Sequence, residues 1–123
     1  MDQKDIGKIE EIIKDRKSAH SFYLKNSPVY KSFVEIEQKT FSNRHLDKKI
    51  KELIAVGISI VINCESCLEW HIKEAINCGA SEGQIIEAIE VGIEMGGGPA
   101  TVSSRFALKV LEYYRKELNG GCE

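Results

Sequence analysis

No apolar run in this sequence is long enough to cross a bilayer. The longest, LIAVGISIVIN at residues 53–63, is about half of the roughly 20 residues a spanning helix requires. A membrane partner is therefore not expected. A basic excess is missing too: the formal net charge is −2, whereas a nucleic-acid partner calls for a strongly positive face. The first residues, MDQKDIGKIEEIIKDRK, interleave acids and bases and lack the apolar core of a secretory signal, so a cytoplasmic location is expected. Stable structural disulfides are uncommon in that compartment. The four cysteines consequently read as metal ligands, redox groups or packing residues rather than as staples. There is no low-complexity tract, no obvious repeat, and no strand pattern bounded by turn residues.

What is present is the composition of an ordinary globular protein, 42% hydrophobic and 29% charged. Its 123 residues suffice for one domain with a core and are too few for two, so residues 1–123 read as a single unit. Ile6, Ile9, Ile12 and Ile13 recur at helical spacing among charges and predict an amphipathic helix over about 4–25. Pro28 breaks it. Val29, Phe33 and Ile36 then predict a shorter second helix, followed by a loop at FSNRH. Asp47 is a natural N-cap for a third helix from Lys48 to about Ile62, whose apolar second half should be buried on most sides. A fourth helix is predicted from about Cys64, capped by Asn63, to the terminating Gly79. Ser81 and Gln84 form the capping-box pair of a fifth, which runs to about Met95. GGGP interrupts the chain, and Pro99 suits the first turn of a sixth helix ending near ELNGG. The fold class read from this pattern is an all-α bundle of about six helices.

One stretch, INCESCLEWHI at residues 62–72, could carry chemistry. At about 100° per residue, Cys64, Cys67 and His71 fall within roughly a 60° sector of one helix face. Cys67 and His71 are an i,i+4 pair, able to share a proton directly or through one water. Cys64 and Cys67 are one turn apart, near enough for a disulfide. A start of the helix at Cys64 would place that thiol at the positive end of the macrodipole, which favours thiolate, while Glu65 and Glu69 would oppose it. Two thiols and a base are what a two-cysteine thiol peroxidase needs: one thiolate attacks the peroxide, and the other resolves the resulting sulfenic acid. Zinc is the rival, with His45 or Cys78 as a fourth ligand. No second C-x-x-C or H-x-x-x-H is available to supply the usual ligand pair from another segment. A purely structural role is the third reading, since cysteine is often buried as a small hydrophobe.

Glu52 lies twelve residues before Cys64, completing the pattern Glu-x11-Cys-x2-Cys-x3-His within KELIAVGISIVINCESCLEWHIKEAINCGAS. Over roughly residues 46–95 this resembles the alkylhydroperoxidase D-like branch of the carboxymuconolactone decarboxylase superfamily. The resemblance implies an all-α fold, assembly as a homo-oligomer (trimer or hexamer), and peroxide-reducing disulfide chemistry with no cofactor and no metal. By position, it implies that Cys67 attacks a hydroperoxide substrate and Cys64 resolves the sulfenic acid. Cys64 would then exchange with a reducing dithiol of the thioredoxin or lipoyl type, while His71 and Glu52 relay the proton. One departure stands out: the peroxidase carries a second histidine just before its second cysteine, and here that residue is Ser66. A decarboxylase-type lyase of the same superfamily is the alternative, although that branch does not generally carry the dithiol.

On residue chemistry alone, Glu52 could equally be solvated, like Lys48, Lys49 and Lys51 around it. Turned inward beside Leu53 and Val56, it would have its pKa raised by desolvation. Cys78 reads as a packing residue, Cys122 as incidental, Trp70 as core or interface, and His20 and His45 as surface residues. Gly57 inside an apolar helix points to a close helix crossing. The glycines at 96–98 read as a helix break, because no Lys-Ser/Thr follows to make a phosphate loop.

Overall fold

The computed structural model describes residues 1–115. Among them, every regular element is an α-helix: α1 (Gln3–Asn26), α2 (Pro28–Thr40), α3 (Lys48–Ile62), α4 (Glu65–Asn77), α5 (Glu82–Gly96) and α6 (Gly98–Arg115). The expected end of the last helix and Cys122 lie outside the described residues. No described helix is long and apolar enough to cross a membrane.

The boundaries follow from capping chemistry. Ser27 serves two helices at once: its N–H donates to Tyr23 O to close α1, and its hydroxyl accepts from Tyr30 N–H to open α2, with Pro28 in the first turn. Asp47 accepts from Ile50 N–H at 2.9 Å and opens α3 as expected. Ser81 and Gln84 form both bonds of the capping box at the start of α5. Each such cap is worth about 1 kcal/mol. The predicted break in the glycine run falls at Gly97, whose φ of 73° is left-handed territory that suits glycine.

The fourth helix departs from expectation in one respect that matters below. Asn63 is not its N-cap but the left-handed C-cap of α3 (φ 55°), the one described non-glycine residue with positive φ. Cys64 takes the N-cap place instead, so α3 and α4 meet at a corner with no intervening loop. Ser103 of α6 holds this corner by donating its hydroxyl proton to Asn63 Oδ1 at 2.9 Å.

α3 is the central helix, packed against α4 and α5, while α6 closes over α4 and α5; α1 lies against α2, α4 and α6. Core residues come from five of the six helices, including Ile9, Val56, Ile60, Leu68, Ile72, Ile85, Ala107 and Val110. Each large aliphatic side chain among them contributes roughly 1.5–3 kcal/mol by burial. Gly57 does permit a close crossing, with Gly92 of α5 as its counterpart: a Cβ on Gly92 would lie 2.7 Å from Gly57 O. The expectation that the second half of α3 is buried on most sides is not met within one chain. Glu52, Val56, Ser59 and Ile60 form a buried stripe, whereas Ile54, Ile58 and Ile62 face outward.

Candidate active site

The corner between α3 and α4 places the two thiols. The Cys64 side chain takes the role that Ser or Asp has at an ordinary N-cap, with Sγ accepting from Cys67 N–H at 3.2 Å. The Cys64 and Cys67 Cα atoms are 5.2 Å apart, within the usual range for a bridged pair, and the two sulfurs are joined as a disulfide in this structure. Only Cys67 and His71 therefore share a true helical face. Cys64 reaches Cys67 from the cap, not from the stripe that a helix beginning at Cys64 would give. The N-terminal N–H groups of α4 and its macrodipole are directed at this cap.

The two acids expected to oppose that field are both answered. Glu65 is bonded by Lys8 of α1 at 2.9 Å. Glu69 is completely buried and accepts from the Arg16 guanidinium of α1 and the Tyr114 hydroxyl of α6. Burial pushes the Tyr114 pKa up to about 12, with Arg16 pulling the other way, and burial likewise lowers that of Arg16.

Glu52 points inward. It is 1% exposed, set one turn into α3, and its Oε1 accepts from His71 Nδ1 at 2.6 Å. That bond puts a proton on Nδ1 and leaves Nε2 as the ring's other reactive nitrogen. The imidazole stacks on Phe41, with centroids 5.3 Å apart and planes inclined by 26°. Phe41 is delivered by the 41–47 connection, which Lys51 ties down through Ser42 O at 2.7 Å and Asn43 through Lys48 N–H at 2.6 Å. Lys48 also reaches Glu74 of α4 at 3.1 Å, so the start of α3 is clamped to the last part of α4, one turn beyond the histidine. The carboxylate and the stacked ring fix His71 in both orientation and tautomer.

Phe41, Arg16 and Tyr114 were not legible as site neighbours in the sequence, because each arrives from a distant helix without a spacing signal. His20, expected to be an unpartnered surface residue, bonds Tyr30 Oη through Nδ1 at 2.8 Å. Trp70 is half-buried, with Lys73 and Arg16 over its ring. Cys78, expected to be buried, is only partly so at the end of α4; His45 is exposed in the loop, as expected. Ser66 is exposed. Among the described residues no three His, Cys, Asp or Glu side chains converge on a point that could hold a metal ion.

Residues 27–110 match the Carboxymuconolactone decarboxylase family. A protein of Paracoccus denitrificans known as uncharacterized protein 4 in the cox locus is 41% identical over 81 residues, which span 66% of this chain and 73% of that one. An uncharacterized protein of Cupriavidus necator is 36% identical over 69 residues, covering 56% of this chain and 58% of its own. The fold is similar to that of an apo carboxymuconolactone decarboxylase family protein from Legionella pneumophila, with a TM-score of 0.84 at 28% identity, covering 89% and 98% of the two chains. It is also similar to a family protein from Thermotoga maritima for which a part in antioxidative response has been suggested. There the TM-score is 0.80 at 25% identity, over 86% and 91% of the chains.

Proposed function

Since the chain belongs to the carboxymuconolactone decarboxylase family, we propose that it is a dithiol oxidoreductase of the alkylhydroperoxidase D-like type, reducing hydroperoxides through the Cys64–Cys67 couple. The observation that carries this reading is the 2.6 Å bond from His71 to the buried Glu52, one helical turn along from Cys67. A disulfide-capable pair alone would support simple exchange. An oriented base beside it supports proton transfer as well.

In the reduced protein His71 Nε2 takes the proton of Cys67, and Glu52 stabilises the imidazolium. The Cys67 thiolate attacks the terminal, hydroxyl-bearing peroxide oxygen; the O–O bond breaks, and the departing alkoxide takes the proton from His71 and leaves as alcohol. Cys67 is now a sulfenic acid. The Cys64 thiolate, favoured by the α4 N-terminus, attacks its sulfur and expels hydroxide, which becomes water by accepting the proton lost from Cys64. The sum is one hydroperoxide and two thiols converted into one alcohol, one water and the disulfide. An external dithiol then restores both thiols by exchange at Cys64. With Ser66 in place of a second histidine, His71 carries the proton traffic alone.

The test is mass spectrometry after peroxide is added to reduced protein, with peroxide consumption followed in parallel. Loss of two hydrogens at the 64–67 pair, and no consumption by Cys67→Ser, is the expected result. Consumption unchanged in Cys67→Ser would overturn the mechanism. Turnover of a lactone acid that survives thiol alkylation would favour the lyase alternative instead.

We further propose that the protein is a homo-oligomer joined through the outer face of α3 and α5. An apolar groove of about 600 Å3 lies there, and Ile58 (55% exposed) and Met95 (72% exposed) are among its walls. Exposed apolar surface of this kind is costly in a lone chain and typical of an interface.

A further inference from the structure

Residues of α1, α2 and α4 line a cavity of about 370 Å3. That is toward the small end of the roughly 300–1,000 Å3 typical of small-molecule sites. Trp70 of α4 and Phe33 of α2 supply apolar wall, and the bonded pair His20–Tyr30, which links α1 to α2, also lines it. The polar lining is lopsided: Arg16, Lys17 and Lys73 face one carboxylate, Glu37.

Two of these cations are held in an unusual state. Lys73 Nζ lies 3.9 Å from the Trp70 ring centroid and Arg16 Cζ 4.8 Å from it, so both rest against the indole instead of reaching into water. Burial lowers the pKa of both; for Lys73 the Glu74 carboxylate pulls the other way, while the Arg16 and Lys17 charges add to the lowering. Arg16 is answered by the buried Glu69. Lys73 has only a share of Glu74, at 3.7 Å, because the other oxygen of that carboxylate holds Lys48 at 3.1 Å. A partly desolvated ammonium with half a counter-ion, beside a further lysine and an aromatic wall, is stabilised by an incoming anion.

We infer that this cavity is a binding site for a carboxylate with an aliphatic body, the head group lying between Lys73 and Lys17 and the body against Trp70 and Phe33. The ligand need carry no peroxide, and the site does not depend on the dithiol reading. Substituting Arg16 would strand Glu69 in the core, so the lysines are the residues to vary.

Trp70 is the single tryptophan of the chain, so its emission reads the site directly. The experiment titrates the full chain with octanoate, with octan-1-ol and octylammonium as controls, in the absence of peroxide or reductant. A saturable emission change with octanoate is expected, at least tenfold tighter than with octan-1-ol and absent with octylammonium. Lys73→Gln and Lys17→Glu should each weaken octanoate at least fivefold, with melting temperature and peroxide-driven disulfide formation unchanged. Calorimetry of the same titrations gives the affinity if a substitution alters the starting emission. Equal affinity for octan-1-ol, a non-saturating response, or octanoate binding indifferent to both lysine variants would each overturn the inference.

Discussion

His71 and Glu52, nineteen residues apart on neighbouring helices, are joined by a 2.6 Å hydrogen bond from Nδ1 to Oε1. A buried carboxylate in that position does two things for the imidazole: it selects the tautomer and it compensates the charge of the protonated ring. Glu52→Gln preserves the shape and an acceptor oxygen but removes the charge. The rate of peroxide-driven disulfide formation should fall about 10²-fold, in the range that general acid–base groups contribute, and the pH–rate profile should change with it. His71→Ala should cost at least as much. A Glu52→Gln rate within twofold of the parent, with the same profile, would reduce Glu52 to a structural partner.

The Glu69 cluster makes a prediction about alkaline stability. The Tyr114 pKa lies at about 12 in the folded chain, against 10.0 ordinarily, mainly through burial. Between those values the unfolded chain has released the proton and the folded chain still holds it. Rising pH therefore favours unfolding, so stability present below about pH 10 is lost progressively toward pH 12. Tyr114→Phe should be less stable at neutral pH by about 1–3 kcal/mol, because Glu69 loses a donor in a buried site. It should also lose stability less steeply above pH 10. Denaturant unfolding of both proteins at pH 8, 10 and 11 measures this; parallel curves would contradict it.

The exposed groove between α3 and α5 predicts assembly behaviour. Ile58→Glu places a charge on the outer face of α3, in a groove lined by none of Glu52, Cys64, Cys67 or His71. The variant should run as a smaller species than the parent in light scattering at matched concentration, with its helix content intact. Parent and variant of the same mass, both monomeric, would remove the proposed interface.

The six helices were readable because their signals are local. Asp47, Ser81 and Gln84 cap where their chemistry requires, and isoleucine spacing along α1 marks its buried side. Spacing and resemblance together grouped Glu52, Cys64, Cys67 and His71, of which the structure joins Cys64 to Cys67 and Glu52 to His71. The exchange of roles at Asn63 and Cys64 was not readable, because Asn and Cys can each occupy either side of a helix corner, and the Asn63 side chain is held by Ser103, forty residues away. The same reason hid Phe41 and the Arg16–Glu69–Tyr114 cluster: each is a meeting of distant helices. The outward face of α3 departs from expectation because hydrophobic content measures what should leave water, not whether the same chain provides the cover.

The crossing of α3 and α5 tests packing with glycines as internal controls. A Cβ on Gly92 would meet Gly57 O at 2.7 Å and the Ile60 side chain at 2.8 Å, atoms that belong to a backbone and to a stiff β-branched residue. Neither can retreat without moving α3, which carries Glu52. Gly92→Ala should therefore destabilise the fold by about 1–3 kcal/mol, as overpacking does. Gly57→Ala, where the nearest atom is Ala88 O at 3.1 Å, should cost less. Gly7 lies in α1 with nothing within 4 Å of its would-be Cβ, so Gly7→Ala should stabilise by roughly 0.5–1 kcal/mol through helix propensity alone. Chemical denaturation of the three variants should rank them Gly7→Ala above parent, then Gly57→Ala, then Gly92→Ala. If Gly92→Ala proved as stable as Gly7→Ala, α3 and α5 could not be in the close contact described, and the placement of Glu52 against His71 would need to be re-examined with it.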